Sequence, residues 1–212
     1  MRQYSFFDRL CMVADSALKT TQGIYDAKPR PNPAQDIAEQ DMTDEEKKHA
    51  ASLMRINHTG EVCAQALYQG QALTAKLPDV RQEMEQAAQE EVDHLAWCSE
   101  RIHEFHSHES YLNPFWYASS FAIGATAGLV GDKWSLGFVA ETENQVCKHL
   151  ESHLEKLPEQ DYKSKAILSQ MHVEELKHAT TAIDNGAAEL PKPIKFGMTI
   201  MSKVMTSTVY YV

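Results

Sequence analysis

Two Glu-x-x-His steps stand in this chain, Glu91-Val92-Asp93-His94 and Glu175-Leu176-Lys177-His178. Each follows another glutamate at a similar distance, Glu61 lying 30 residues before Glu91 and Glu143 lying 32 before Glu175. On a helix the side chains at i and i+3 share a face, so a carboxylate and an imidazole so spaced reach one ion together. Four carboxylates and two imidazoles arranged in this way make a site for two divalent metals. A single Glu-x-x-His arises often by chance, and a lone core-facing Glu or His is more often ion-paired or hydrogen-bonded than metal-bound. Two such steps, each preceded by a glutamate at matched spacing, are a far more specific signal. Oxygen and nitrogen donors without thiolate suit iron or manganese better than the closed tetrahedral sites of structural zinc. The candidate ligands are Glu61, Glu91, His94, Glu143, Glu175 and His178.

Helices must carry these residues. Thr43 with Glu46 fits a capping box and opens a helical pattern that runs to about Leu77, where Pro78 stops it. Asp79 is placed to cap a second helix reaching about His106. A third helix is expected over 134–157 and a fourth from about Asp161 to Asp184, with Asn185-Gly186 as its stop. The apolar stripes on these helices are interrupted by the candidate ligands. They read Met54, Asn57, Glu61, Ala64, Tyr68, then Met84, Ala87, Glu91, His94, Cys98, Ile102. The second pair reads Leu136, Val139, Glu143, Val146, Leu150, Leu154, then Leu168, Met171, Glu175, His178, Ala182. Carboxylates are rarely buried unless paired or metal-bound, and here all four helices bury them at once. Measured from the turns, at roughly 1.5 Å per residue, Glu61 and Glu91 fall within about one helical turn of each other. Glu90 and Glu174 sit about 100° around their helices from the ligands and are excluded as ligands. Asp93 and Asp184 are candidates to orient an imidazole, while His149, His153 and His172 fall off the stripes, on the surface or behind the ligands.

The remaining segments frame this unit. No segment alternates as a strand does, so the fold class is all-α. Residues 1–33 read as an arm with a short helix bearing Phe6, Phe7, Leu10, Val13 and Leu18, broken by the linker KPRPNP at 28–33. Residues 34–212 read as one bundle domain. Residues 110–131 carry no charge, a length near the roughly 20 residues of a membrane span. Their glycines and serines make them weakly apolar for that task, and they read as the long buried crossover that a ferritin-like four-helix bundle needs. The tail after Pro193 suits a fifth helix, packed or lying in a membrane interface. The formal net charge of -10 argues against nucleic acid as a partner, since such binding neutralises phosphates. Four scattered cysteines form no C-x-x-C pair and read as free thiols in a reducing compartment. The first residues lack the apolar run of a signal peptide.

The stretch Arg55-Ile-Asn-His-Thr-Gly-Glu61, with Glu90-Glu91-Val-Asp-His94-Leu after it, resembles the demethoxyubiquinone hydroxylases of ubiquinone biosynthesis. The resemblance covers roughly residues 45–212. It implies a ferritin-like di-iron monooxygenase that adds one oxygen atom from O2 to the ring of 2-polyprenyl-3-methyl-6-methoxy-1,4-benzoquinol. It implies two iron ions (Fe2+) as cofactor, held by the six residues named above. In the wider class the counterparts of Glu91 and Glu175 bridge the metals, and those of Glu61 and Glu143 bind terminally. It further implies a peripheral protein on the cytoplasmic face of the inner membrane, with other ubiquinone-biosynthesis proteins as possible partners. The surroundings of Glu143 and His178 depart from the family pattern, and the arm and linker lie outside it. The alternatives are another di-iron activity, such as a ferroxidase, a peroxidase or a tRNA hydroxylase, and a non-catalytic metal-storage bundle. The acidic balance counts against an RNA substrate, no C-x-x-C pair exists for a rubredoxin-like electron module, and a storage bundle does not need a charge-free crossover with an apolar, Met-rich tail.

Overall fold

The computed structural model describes residues 5–24, 30–39 and 41–212. Lys28 and Pro29 of the expected linker lie outside the described residues, as do the side chains of Phe6 and Leu10. Seven helices form among the described residues, and no strand. They are α1 (Phe6–Thr21), α2 (Asp44–Thr74), α3 (Pro78–Glu104), α4 (Asn113–Val130), α5 (Asp132–Lys156), α6 (Tyr162–Asp184) and α7 (Lys192–Val209). The hairpins α2/α3 and α5/α6 make the four-helix bundle, α4 crosses between them along α2, and α7 packs on α2 and α5.

The caps follow local chemistry. The Glu46 N–H donates to the Thr43 hydroxyl and the Thr43 N–H to the Glu46 carboxylate, closing the expected box at the start of α2. Asp79 does not cap α3. Pro78 occupies the first turn, where a missing N–H costs nothing, and Leu77 precedes it without a side-chain bond. The turn is tied instead from the far hairpin, where the Asp132 carboxylate accepts from the N–H groups of Lys76 and Leu77 at 3.1 and 3.0 Å. Gly131, at φ 143°, makes the sharp join between α4 and α5 that a side chain would strain.

Two apolar clusters fill the bundle, one above and one below a polar layer. The first includes Leu53, Met54, Trp97, Cys98, Ile102, Leu150, Leu168 and Met171. The second includes Ala64, Tyr68, Met84, Leu136, Val139 and Ala182. Arg101, 1% exposed, braces one end. Its guanidinium donates to Asp161 at 2.7 Å, to Ser164, Glu39 and Glu104, and stacks on Phe105. The fork therefore ties α3 to the N-terminus of α6 and to the segment preceding α2.

The Arg55–Glu61 stretch is dense because it serves two faces. Arg55 donates to the His108 carbonyl, the Ser107 hydroxyl and the Tyr210 carbonyl, holding the loop before α4 and the end of α7. The Thr59 hydroxyl donates to Asn113 at 2.8 Å, fixing the first turn of α4. Asn57 and Glu61 turn inward.

The charge-free segment is a helix, and not a wholly buried one. Phe115, Leu129 and Val130 are exposed. Its small residues form the seam with α2, since a Cβ on Gly124 would stand 2.2 Å from the Leu67 carbonyl oxygen and one on Gly70 2.4 Å from that of Phe121. Backbone meets backbone there, and no side chain could give way. Gly124→Val should push α4 off α2 and cost about 1–3 kcal/mol of stability, read from urea unfolding. An unchanged midpoint would show the seam to be looser than this geometry.

Candidate metal centre

Four of the six candidate ligands, Glu91, His94, Glu143 and Glu175, are wholly buried, while Glu61 is 2% exposed and His178, its side chain 10% exposed, lies at the rim. One turn of each bundle helix delivers them to a single level between the two apolar clusters. Donor atoms of Glu61, Glu91, His94 and Glu175 all lie within 4.8 Å of one another. Glu91 and Glu175 each reach both imidazoles, one oxygen to each. Glu91 stands 3.1 Å from His94 Nδ1 and 3.4 Å from His178 Nδ1. Glu175 stands 2.9 Å from His94 Nδ1 and 3.2 Å from His178 Nδ1. Glu61 is farther, at 3.7 Å from His94 Nδ1. Glu143 is held slightly apart, accepting a hydrogen bond from the Tyr68 hydroxyl.

The electrostatics are those of a site made for cations. Burial, then the neighbouring carboxylates, push Glu61 and Glu143 well above the usual carboxylate range. Burial also acts on Glu91, but the His178 and His94 imidazoles outweigh it and hold its carboxyl low. Burial would lower His178, yet Glu175 and Glu91 push it up to about 12, and His94 is raised in the same way by Glu174 and Glu175. Four carboxylates cannot all ionise at one level of an apolar core, so protons do here what divalent cations would do. Glu143 Oε2 is buried with no hydrogen-bond partner, and Glu91 Oε1 and Glu175 Oε1 have no aligned one. Buried acceptor oxygens converging without donors fit divalent metal ions.

The imidazoles are oriented by residues that one-helix reasoning excluded. Glu174, on α6, accepts at 2.7 Å from Nε2 of His94 on α3. Glu90, on α3, accepts at 2.7 Å from Nε2 of His178 on α6. The two neighbours of the central glutamates thus cross-brace the opposite hairpin's histidine and leave each Nδ1 facing inward. The expected orienters do otherwise: Asp184 is exposed at the end of α6, and Asp93 binds Arg30 at 2.5 Å. Arg30 also grips Glu174 with two bonds of 2.6 and 2.8 Å, so the segment before α2 reaches His94 through Glu174. His153 is not a surface group either, being buried with Nδ1 2.7 Å from Asn57 Oδ1. Its signal was the i, i+3 series Leu150, His153 along α5, beside the expected stripe.

The centre faces two unlike spaces. On the α3/α6 side lies a polar pocket of about 450 Å³ lined by Arg30, Gln86, Glu90, Glu174, Lys177 and His178. On the other, between α2, α4, α5 and α7, lies an apolar cavity of about 360 Å³ whose wall includes Glu61, Leu67, Trp116, Phe138, Met198 and Met205.

A family model described as "Ubiquinone biosynthesis protein COQ7" matches residues 48–209. Proteins named 3-demethoxyubiquinol 3-hydroxylase from Ectopseudomonas mendocina and Azotobacter vinelandii are 61% and 60% identical to this chain over 209 residues. A third, from Pseudomonas fluorescens, is 59% identical, and in all three the match spans 99% of this chain and 97% of the relative.

Glu174→Gln should leave the bundle folded but loosen His94, weakening divalent-metal binding about tenfold. Competition titration with Co2+ reads this. Unchanged affinity would show that Glu174 does not set the imidazole.

Proposed function

The chain belongs to the COQ7 family of ubiquinone biosynthesis proteins, and from that premise we propose that its buried Glu/His layer binds two iron ions and hydroxylates a methoxy-benzoquinol in the adjoining cavity. It is an oxidoreductase of ubiquinone biosynthesis, a 3-demethoxyubiquinol hydroxylase like its relatives. The observation that carries the mechanism is the meeting of that layer with an apolar cavity at Glu61. Ferroxidase or storage readings have no use for such a space.

Glu91 and Glu175, each within reach of both imidazoles, would be the carboxylates held in common by the two ions. Glu61 and Glu143 would be the outer carboxylates, and His94 and His178 would each hold one ion. When bound, two ferrous ions supply the two electrons by which O2 is split, one oxygen atom entering the ring and the other leaving as water with two protons. The chain does the rest. Tyr68 holds one oxygen of Glu143. Glu90 and Glu174 keep the imidazoles turned inward. The apolar wall excludes water, so the ring meets the centre without competing solvent. The bundle of residues 34–212 carries this chemistry, with Arg30 contributed by the preceding arm.

A polyprenyl tail resides in lipid, and the outer faces of α4 and α7 suit a membrane surface. No helix among the described residues is long and apolar enough to cross a membrane. Phe115, Leu129 and Val130 on α4 and Ile194, Phe196, Ile200 and Val204 on α7 are exposed. The same two helices wall the cavity. Within this acidic protein, α7 carries Lys192, Lys195 and Lys203 and no acidic residue. A peripheral seat on an anionic leaflet, such as the inner membrane's cytoplasmic face, would let the substrate enter from the bilayer without leaving it.

Anaerobic loading with Fe2+ and a short-tailed quinol, followed by 18O2, should place one labelled oxygen on the ring. Oxygen consumption with an unlabelled ring would overturn the hydroxylase mechanism proposed for this centre. Glu91→Ala and Glu175→Ala should abolish this labelling while helicity by circular dichroism stays nearly intact, and labelled product from either would refute the assignment of ligands. Phe115→Asp combined with Phe196→Asp should lower co-sedimentation with phosphatidylglycerol vesicles by about tenfold or more. Undiminished binding would remove these faces from the membrane contact.

A further inference from the structure

Most polar side chains on the cavity wall are already engaged. The Gln145 amide donates to Glu141, His149 pairs with the Ser202 hydroxyl at 2.7 Å, and the Thr206 hydroxyl donates to the Lys203 carbonyl. Asn57 differs. It lines the cavity, is 5% exposed, and its Nδ2 has no hydrogen-bond partner. Its other amide atom is fixed, since Oδ1 lies 2.7 Å from Nδ1 of the buried His153. Burial holds His153 low, down to about 3, so the ring is neutral, and the Asn57 oxygen facing Nδ1 at 2.7 Å assigns the ring proton to that nitrogen. With Oδ1 accepting from His153, the NH2 group is left as a donor in an apolar space, a costly arrangement unless a ligand completes it.

Position adds to chemistry. Asn57 precedes Glu61 by four residues on α2, one turn, so the two share a face with a rise of about 6 Å between them. Gly60 also lines the wall, and a Cβ there would meet nothing within 4 Å, so the space beside Glu61 stays open. A flat ring anchored by an oxygen at Asn57 would therefore lie along α2 with its neighbouring carbons toward the carboxylate layer.

We infer that the Asn57 amide donates a hydrogen bond to one ring oxygen of the quinol, selecting which ring carbon faces the metal centre, with His153 as the positioning residue behind it. This rests on the reading of the cavity as the quinol site. It assigns the amide a ligand of definite chemistry, an aromatic ring bearing a hydroxyl or carbonyl oxygen.

The test is equilibrium binding without turnover. The full chain is titrated under argon with an oxidised, short-tailed methoxy-methyl-benzoquinone, and quenching of tryptophan fluorescence is followed, Trp116 lying on the wall. A ring analogue lacking one quinone oxygen is titrated in parallel. In the natural chain, loss of the oxygen should weaken binding about three- to tenfold, the worth of one neutral hydrogen bond. In Asn57→Leu the quinone should bind weaker by a similar factor, and removing the oxygen should then cost nothing further. Asn57→Ala, which likewise removes the donor, carries the same comparison should the leucine variant not fold. If the oxygen is worth the same with and without Asn57, the inference is wrong while the cavity reading stands. If the natural chain does not bind the quinone at all, the cavity reading falls and takes this inference with it.

Discussion

Four glutamates at one level of an apolar core repel one another, and the rest of the fold is arranged around that fact. Water is kept from most of the layer, because Met54, Cys98, Leu150 and Met171 close one side and Tyr68, Met84, Val139 and Ala182 the other, and the opening to solvent is at the His178 rim. Uncompensated, each buried charge would cost several kcal/mol, far more than one helix turn contributes. The compensation is built from all four bundle helices at once. It follows that the hairpins cannot shift register independently: a slip of one helical turn, about 5.4 Å, would carry a carboxylate into the apolar cluster above or below. Packing alone tolerates such slips between apolar residues, so the polar layer is what fixes the alignment of α2/α3 against α5/α6.

Cross-bracing makes that alignment reciprocal. Each hairpin supplies an imidazole, and each supplies the glutamate that holds the other's imidazole, Glu90 to His178 and Glu174 to His94. The two halves are alike in this and unlike in what lies behind it. Glu174 is gripped by Arg30, whereas Glu90 has the Gln86 amide. His94 is fully buried and His178 lies nearer solvent. A centre of near-symmetric donors thus has one rigid end and one accessible end.

How much of this could be read from the chain depends on whether the relevant geometry is local. The shared level of the six candidate residues was legible because a helix imposes a period, and a glutamate that interrupts an apolar stripe breaks it visibly. The all-α class and the capping box of Thr43 are local in the same sense. The bracing role of Glu90 and Glu174 was not legible, because a wheel drawn for one helix places them about 100° from the candidate ligands, while their carboxylates act on the neighbouring helix. Which helix is neighbour is a tertiary fact. Asp132 capping the α2–α3 turn, and His153 behind Asn57, were hidden for the same reason. The crossover was legible as a connection but not as a helix, since its glycines read as weak hydrophobicity. In the fold they are the places where α4 meets α2 backbone to backbone.

That close approach decides where substrate chemistry can happen. Because Gly70, Gly124 and Gly128 bring α4 tight against α2 along one stretch, the space beside α2 opens elsewhere, between α4, α5 and α7, where larger side chains hold the helices apart. The opening falls beside Asn57 and Glu61 rather than beside His94 or Glu174. An apolar ring admitted there meets the centre from its carboxylate edge, and the imidazoles with their bracing glutamates stay on the opposite, polar side. The polar pocket is lined by groups able to carry protons, Glu90, Glu174, Lys177 and His178, whereas the apolar cavity offers few such carriers. Separating the two spaces across a single buried layer lets one face stay dry for the ring while the other remains in contact with water, as an oxygenation that consumes protons requires.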